Sequence, residues 1–337
     1  MQIFHNPDYN FVKWRWPAIG LSLVVILAGV AMLVTRGPKL GVEFEGGTIV
    51  ILKFQQPTPD ERVRAALTSM PGGGGDNAQV QAYGDSSQHQ VMVRVSRVGA
   101  ESGGSLSDAA DAVVTAVRQA GLGAFAGTCS ATLLSDCVVG TEIVGPVVGQ
   151  QLKRQGTLAT VLALAGILIY LALRFQLSFA VGAVVATIHD LLVTIAFLQF
   201  FGYELTLNVI AAILTITGYS VNDTIVVFDR VRENMRSMRR DNLAHIVNVA
   251  VNQTLGRTII TAGTTLLSVI ALYLFGGDVL KGMAFTLIVG IVSGTYSTVF
   301  IAAAIAIMWQ GKKPMKGQVA PATAAPSPAP KPRRRAS

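Results

Sequence analysis

The sequence of 337 residues has little charge, few cysteines and none of the usual signatures of an enzyme. Charged side chains make up 14% of it, against about 25% in an average soluble protein. The glycines of 71–75 are not followed by the Lys-Ser/Thr of a phosphate-binding loop, and no serine lies in a G-x-S-x-G sequence. The two cysteines have no zinc-ligand partners at a usable spacing. We therefore expect neither an enzyme nor a protein with a cofactor or a metal site.

The chain does have long apolar runs, since hydrophobic residues make up 51% of it. A helix needs about 20 mainly apolar residues to cross a bilayer. Six runs reach that length, which predicts a polytopic α-helical membrane protein. The first run is too long for a signal peptide and lacks a small-residue cleavage site, so we expect it to be retained. The six are Pro17–Thr35, Gly156–Leu173, Ser178–Phe201, Leu205–Asp229, Thr258–Gly276 and Gly282–Trp309.

Basic residues near the ends of these runs predict the orientation in the membrane, because short cytoplasmic loops are enriched in Lys and Arg. A basic segment, 230–256, follows the fourth run, and further cations lie in the tail, 312–337. We expect both on the cytoplasmic side, together with the N-terminus, 1–16, and we expect the Ala/Pro-rich tail to be disordered. The polar region 36–153 then lies in the periplasm. The net charge of +8 indicates anionic lipid headgroups as neighbours rather than nucleic acid.

The polar region 36–153 has the pattern of a small α+β domain. Its strands and helices alternate in the order βαββαβ, which is the order of the ferredoxin-like sandwich. Cys129 and Cys137 both lie in this region. In an oxidising compartment they form a disulfide, and the alternative is two free thiols. The predicted strands are Thr48–Phe54, Ala78–Tyr83, Gln90–Ser96 and Val138–Val144, and the predicted helices are Thr58–Met70 and Ser107–Ala120.

Ionisable side chains inside the apolar runs are the candidate functional residues. A carboxyl at the centre of a membrane helix costs about 2.5–3.5 kcal/mol, and such residues are functional by default. Asp223 is the strongest candidate, and Arg257 begins the next run at the same cytoplasmic end, so the two side chains are a candidate proton relay. Arg257 alone has the alternative of snorkelling to the headgroups. His189, Asp190 and Asn222 either join the relay or pack the helices through hydrogen bonds.

Several segments resemble those of a known family over nearly the whole length. They are GVEFEGGT at Gly41–Thr48, RFQLSFAVGAVVATIHD at Arg174–Asp190, GYSVNDTIVVFDRVREN at Gly218–Asn234, GRTIITAGTT at Gly256–Thr265, and Phe275–Lys281. Together they resemble the SecF family of protein-export membrane subunits. Glu43 stands where that family usually has Asp, so the charge is kept on a longer side chain.

The resemblance implies both a fold and a function. SecF and SecD each supply six helices to a bundle of the resistance–nodulation–division type in the bacterial inner membrane. The complex uses the proton motive force to assist Sec-dependent translocation, and residues at the positions of Asp223 and Arg257 are linked to proton movement. The implied partners are SecD, the SecYEG channel, YajC, YidC and the exported preprotein. The alternatives are a proton-coupled small-solute efflux half-transporter and a non-transducing scaffold for the Sec channel.

Overall fold

The computed structural model describes residues 7–45, 47–68, 78–83, 89–95, 106–122, 138–144 and 146–310. In chain order its elements are a 3-10 turn (Val12–Trp14), α1 (Arg15–Arg36), α2 (Val42–Glu45), β1 (Gly47–Lys53), α3 (Asp60–Leu67), β2 (Gln79–Tyr83), β3 (Gln90–Val95), α4 (Leu106–Gln119), β4 (Val138–Val144), α5 (Pro146–Arg174), α6 (Leu177–Phe201), α7 (Leu207–Ser237), α8 (Leu243–Phe275), α9 (Asp278–Ser297), a π-helical turn (Thr298–Ala302) and α10 (Ala303–Gln310).

Six helical spans dominate this architecture. Within the described residues, α1, α5, α6, α7, α8 and the continuous α9–α10 are each long and apolar enough to cross a membrane. The central spans are α6 and α9–α10, in each of which 56% of the most apolar window is buried, whereas in α5 only 6% is buried. The predicted fold class is therefore confirmed: six membrane helices, with one α+β domain between the first and the second.

Three of the helices extend well beyond their apolar runs: α5 begins at Pro146 rather than near Gly156, and α7 and α8 both continue into the basic segment. α7 continues from Asp229 to Ser237, and α8 begins at Leu243 rather than near Thr258, so the basic segment 230–256 is mostly helical. The added turns of α7 and α8 are stabilised by tertiary packing, because Val231, Leu243, Ile246 and Val247 are buried in the main core of the bundle. Asn242 caps α8, since its side-chain oxygen accepts a hydrogen bond from the His245 amide at 2.7 Å.

The outer domain consists of a four-stranded antiparallel sheet covered on one face by two helices. The strand order is β2-β3-β1-β4, which is the arrangement expected for a ferredoxin-like sandwich. Val50 of β1 lies opposite Val93 of β3, and both pack with Val113 and Val117 of α4, all four fully buried. The second face of the sheet turns towards the ends of the membrane helices. Cys129 and Cys137 lie outside the described residues, so their pairing stays a prediction.

The two ends of the helix bundle differ in what they contact. At one end, the segment before α1 binds α8: the amides of Tyr9 and Phe11 donate to the side chains of Asn252 and Asn248, both at 2.9 Å. At the other end, the loop between α6 and α7 contacts the outer domain through a parallel β-bridge between Leu40 and Leu205. The outer domain and the basic α7–α8 turn therefore lie at opposite ends of the bundle.

Candidate functional site

Asp190 is the most thoroughly hydrogen-bonded carboxylate of the described bundle. It lies on α6, is 2% exposed, and accepts hydrogen bonds from hydroxyls on two neighbouring helices. Ser220 of α7 and Ser297 of α9 donate to its Oδ2 at 2.5 and 2.7 Å, and Ser293 of α9 donates to Oδ1 at 2.8 Å. Because these donors come from separate helices, Asp190 joins α6, α7 and α9 at one point.

His189 completes this cluster from the preceding position on α6. Its Nδ1 lies 3.0 Å from Asp190 Oδ1, so the Nδ1–H tautomer donates to the carboxylate. Its Nε2 is buried without a hydrogen-bond partner among the described residues. The ring stacks on Tyr296, with ring centroids 6.1 Å apart.

Asp223, on α7, has a different environment. Its Oδ1 accepts a hydrogen bond from Thr258 Oγ1 of α8 at 2.8 Å, while its Oδ2 is buried without a partner in the part of the chain that is described. The hydroxyl of Thr298, in the π-helical turn, faces the same carboxylate and is held by Thr224 at 2.9 Å. Asp223 therefore has an open hydrogen-bonding position, which Asp190 lacks.

Arg257 lies at the depth of Asp223 without touching it. It precedes Thr258, the partner of Asp223, by one residue, or about 1.5 Å of helix rise. Its side chain is exposed and forms no ion pair among the described residues, so it acts on Asp223 only as a charge at longer range. Asn222 is also exposed and joins neither carboxylate. The structure thus brings together His189 with Asp190 and Asp223 with Thr258, but not Asp223 with Arg257.

Close approach of α7 and α9 is what allows these contacts. Gly294 of α9 packs directly against Ser220, because a Cβ at position 294 would lie 2.9 Å from the Ser220 Cβ. The π-helical turn starts immediately after Ser297 and contains Thr298. Such turns are inserted into α-helices frequently at functional sites. Here the turn lies beside both carboxylates.

Sequence reasoning found the two carboxylates but missed their partners. The serines at 293 and 297 are four residues apart and so share one face of α9, and Ser220 precedes Asp223 by three residues on α7. These spacings indicate polar faces on both helices. They do not tell which faces meet, because that depends on how the helices are rotated against one another.

Comparisons with known proteins identify the family. The family described as "Protein export membrane protein SecD/SecF, C-terminal" matches residues 130–312, and the one described as "SecD/SecF GG Motif" matches residues 31–58. The Protein translocase subunit SecF of Rhodothermus marinus is 39% identical over 328 residues, which cover 96% of this chain and 100% of that protein. The chain belongs to the SecF family. The Protein translocase subunit SecF of Escherichia coli O157:H7 is 36% identical over 299 residues, or 89% of this chain and 87% of the relative.

Solved structures of SecDF have a similar fold. One, from Thermus thermophilus, is described as a translocon-associated membrane protein; the match has a TM-score of 0.75 at 29% identity and covers 91% of this chain. A second SecDF, in a Super-membrane-facing form, matches with a TM-score of 0.65 at 31% identity. The SecF-family chain spans 39% of the length of each of these SecDF chains.

Gly41 lies in the segment matched by the SecD/SecF GG Motif, and the glycine there has a physical explanation in this structure. Gly41 is buried, and its amide donates to the Leu205 carbonyl at 2.9 Å. A Cβ at position 41 would lie 3.3 Å from that carbonyl oxygen and 3.0 Å from the Thr206 methyl group, so only glycine fits without displacement. Glu43, which replaces the usual Asp, lines a cleft of about 310 Å³ beneath the sheet. Its Oε2 is buried and has no partner among the described residues.

Proposed function

We propose that this chain and a SecD subunit together form a proton-driven complex that assists Sec-dependent protein translocation across the bacterial inner membrane. The complex would act at the SecYEG channel, with YajC and YidC as further partners, and would engage the preprotein on the outer side. Membership of the SecF family supports the assignment, because the relatives are named protein translocase subunits. The geometry of the membrane carboxylates supports proton movement as the energy source.

The observation that carries the proposal is the open hydrogen-bonding position of Asp223. One carboxylate oxygen accepts from the Thr258 hydroxyl, and the other is buried without a hydrogen-bond partner among the residues that the structure describes. A proton on that oxygen removes a charge from the bundle and supplies a donor, so the two protonation states favour different packing of α7 against its neighbours. One charge moved through 100 mV supplies about 2.3 kcal/mol. That energy is enough to shift an equilibrium between two packings that differ by a few kcal/mol.

Arg257 and Asp190 have separate roles in this proposal. Arg257 provides the counter-charge, and a modest rotation of α8 would bring its exposed guanidinium towards Asp223 when that carboxylate is charged. Asp190 is held by three serine hydroxyls and His189, which together contact both of its carboxyl oxygens. We therefore assign Asp190 and His189 to helix packing, and we assign Asn222 to contact with the partner subunit.

The exposed faces of α7 and α8 support a partner within the membrane. On α7 the exposed residues include Ala211, Thr215, Gly218 and Asn222. On α8 Arg257, Thr261, Thr264 and Ser268 are exposed, beside exposed apolar residues such as Ile260 and Leu267. Both sets follow the spacing of one helical face, and small residues of this kind let membrane helices approach closely. Lipid is a poor neighbour for Asn222 and Arg257. A SecD subunit that covers this surface would bring its own helices against the relay.

The two alternative functions, a small-solute efflux half-transporter and a non-transducing scaffold, predict different observations. A small-solute efflux half-transporter does not account for the translocase names of the relatives. A non-transducing scaffold predicts that neutral substitutions at Asp223 are harmless, since a scaffold needs only the packing surface. The experiment below separates the scaffold from the proton-driven subunit.

The test is Asp223→Asn in the full chain together with SecD in membrane vesicles, with Asp229→Asn as the matched control. Asp229 lies on the same helix, but its ion pair with Arg174 is largely exposed and contributes only about 0.2–1 kcal/mol. We expect Asp223→Asn to abolish proton flux and gradient-dependent export, and the control to retain both. Undiminished flux in the Asp223 variant would refute the relay.

A further inference from the structure

The loop between α6 and α7 connects the two helices that bear the buried carboxylates. α6 carries Asp190, and α7 carries Ser220 and Asp223. We call residues 202–206 the hairpin loop. Any change in the packing of α6 and α7 at the carboxylates is transmitted along two stiff helices to this loop. The part of the protein that is bound to the hairpin loop would therefore move when the packing of α6 and α7 changes.

The hairpin loop holds the outer domain by backbone hydrogen bonds. The Leu205 amide donates to the Lys39 carbonyl at 2.8 Å, and the Leu205 carbonyl accepts from the Gly41 amide at 2.9 Å. These two bonds form the parallel bridge between Leu40 and Leu205. The bridge lies just before α2, which leads into β1, so it fixes the chain entering the outer domain to the loop. Backbone hydrogen bonds of this kind constrain both position and direction.

An ion pair makes a second connection, farther into the sheet. Arg94 of β3 donates from Nη1 to Glu204 Oε2 in the hairpin loop, and the two side chains are only 18% and 10% exposed. A pair so shielded from water is screened less than a surface pair, and loss of one partner leaves a poorly hydrated charge. β3 pairs with both β1 and β2, so Arg94 is anchored in the interior of the sheet.

We propose that Arg94 and Glu204 are positioning residues that couple the α6–α7 hairpin to the outer domain, so that domain and loop move as one body when the membrane helices repack. This inference rests on the proposed proton-driven function, because it concerns how that energy reaches the outer side. Together with the bridge at Leu205, the ion pair holds the outer domain to the loop at two points of the domain, one before α2 and one on β3. Two points of attachment prevent the domain from pivoting about a single one.

The coupling predicts that loss of the ion pair separates proton flux from export. The variants are Arg94→Gln, Glu204→Gln and the double variant, with Arg62→Gln as the control, all in the full chain with SecD in membrane vesicles. Arg62 is an exposed cation of the same domain, on α3. We expect each single variant to retain proton flux and to lose most of its gradient-dependent export. The double variant should be no worse than either single variant, and the control should match the parent protein.

A cysteine pair at the bridge provides an independent test. Bridged β-residues have Cα atoms close enough for a disulfide, and Leu40 and Leu205 are such a pair. In a chain whose Cys129 and Cys137 are replaced by serine, Leu40→Cys with Leu205→Cys should form a disulfide and still support gradient-dependent export. A disulfide that blocks export until it is reduced would show that loop and domain separate during the cycle, which overturns the inference.

The remaining outcomes are equally decisive. Full export in the Arg94 and Glu204 variants overturns the coupling, as does a parallel loss of flux and export, since the pair would then act on the relay itself. If these variants do not accumulate in the membrane, the disulfide experiment decides. A wrong relay hypothesis gives a different result from a wrong coupling hypothesis. If the relay is wrong, proton flux persists in Asp223→Asn, whatever the Arg94 and Glu204 variants do to export.

Discussion

Asp190 and Asp223 lie in the same helix bundle, but their carboxylates differ in the number of hydrogen-bond donors that contact them. Asp190 has four donors, from three serines and His189, and these offset the cost of burying its charge. Asp223 has one hydroxyl donor and an oxygen without a partner among the described residues. The first arrangement supplies donors to both oxygens of the carboxylate, whereas the second leaves one oxygen without a donor among the described residues. This contrast is the basis for assigning packing to one and proton transfer to the other.

Neutralisation of Asp190 should therefore affect stability more than transport. In Asp190→Asn the amide keeps one acceptor oxygen, and some of the surrounding hydroxyls lose their partner. An unsatisfied buried group costs about 1–3 kcal/mol, although hydrogen bonds between membrane helices average only about 0.6 kcal/mol. We expect a clearly lower thermal unfolding temperature in detergent, with residual proton flux that still depends on Asp223.

Ser297→Ala and Asp229→Asn serve as the controls for this prediction. Ser297→Ala removes one donor and should give a smaller decrease, near the average for a single interhelical bond. Asp229→Asn neutralises an exposed carboxylate and should leave the unfolding temperature close to that of the parent protein. Flux abolished in Asp190→Asn at unchanged stability would instead place Asp190 in the relay.

The pair of helices α7 and α8 combines a packed face and an exposed face within the same membrane segment. The packed faces carry Thr224, Thr258 and Asp223, while the exposed sides include small and polar residues. Thr261, Thr264 and Ser268 donate their hydroxyls to carbonyls one turn earlier on α8. These hydroxyls are therefore all paired within α8, and their small side chains allow close approach of another helix.

Bulk added to this exposed face should weaken binding of SecD. Gly218 lies on the exposed face of α7, and a Cβ there would meet nothing within 4 Å. Gly218→Leu should therefore leave the chain itself folded but prevent close approach of a partner helix. We expect reduced co-purification of SecD at an unchanged amount of this chain in the membrane.

Gly166→Leu is the matched control, because Gly166 is also an exposed glycine of a membrane helix with nothing within 4 Å of an added Cβ. It lies on α5, away from the proposed interface, and both substitutions make the same change in helix propensity. Equal recovery of SecD with the two variants would contradict the interface on α7 and α8.

The molecule as a whole is polarised along the bundle axis. One end carries the outer domain and the hairpin loop, and the other carries the segment before α1 and the basic α7–α8 turn. Arg230, Arg232, Arg236, Arg239 and Arg240 all lie on or near this turn. The positive-inside rule predicts that the turn lies in the cytoplasm and the outer domain in the periplasm.

Cysteine labelling in intact cells tests this orientation. In a chain without Cys129 and Cys137, an impermeant thiol reagent should label Thr68→Cys in the outer domain from outside. Ser237→Cys, at the end of α7, should react only after the membrane is opened, because its helix end lies on the basic side. Both positions are exposed, so their difference reports the side of the membrane. Labelling of both from the same side would contradict the arrangement of spans.

Much of the fold follows from local patterns in the sequence. The six apolar runs predict the six spans, and alternation with turn residues predicts the βαββαβ order, with β4 at Val138–Val144 as expected. The boundaries near the basic turn were not predictable in this way. There α7 and α8 continue through polar sequence because a few buried residues, such as Val231 and Ile246, pack against other helices. A helix that leaves the lipid no longer needs to be apolar on every side.

The sequence by itself determined which segments are helices and strands, and that Asp190 and Asp223 lie in apolar segments. Hydropathy and periodicity depend only on residues that are near one another in the sequence. Tertiary structure decided what each carboxylate contacts. Ser293 and Ser297 reach Asp190 from 103 and 107 residues away, Thr258 rather than Arg257 binds Asp223, and Arg94 reaches Glu204 across 110 residues. Such pairings depend on the rotation and separation of packed elements, and a pattern along one chain does not contain that information.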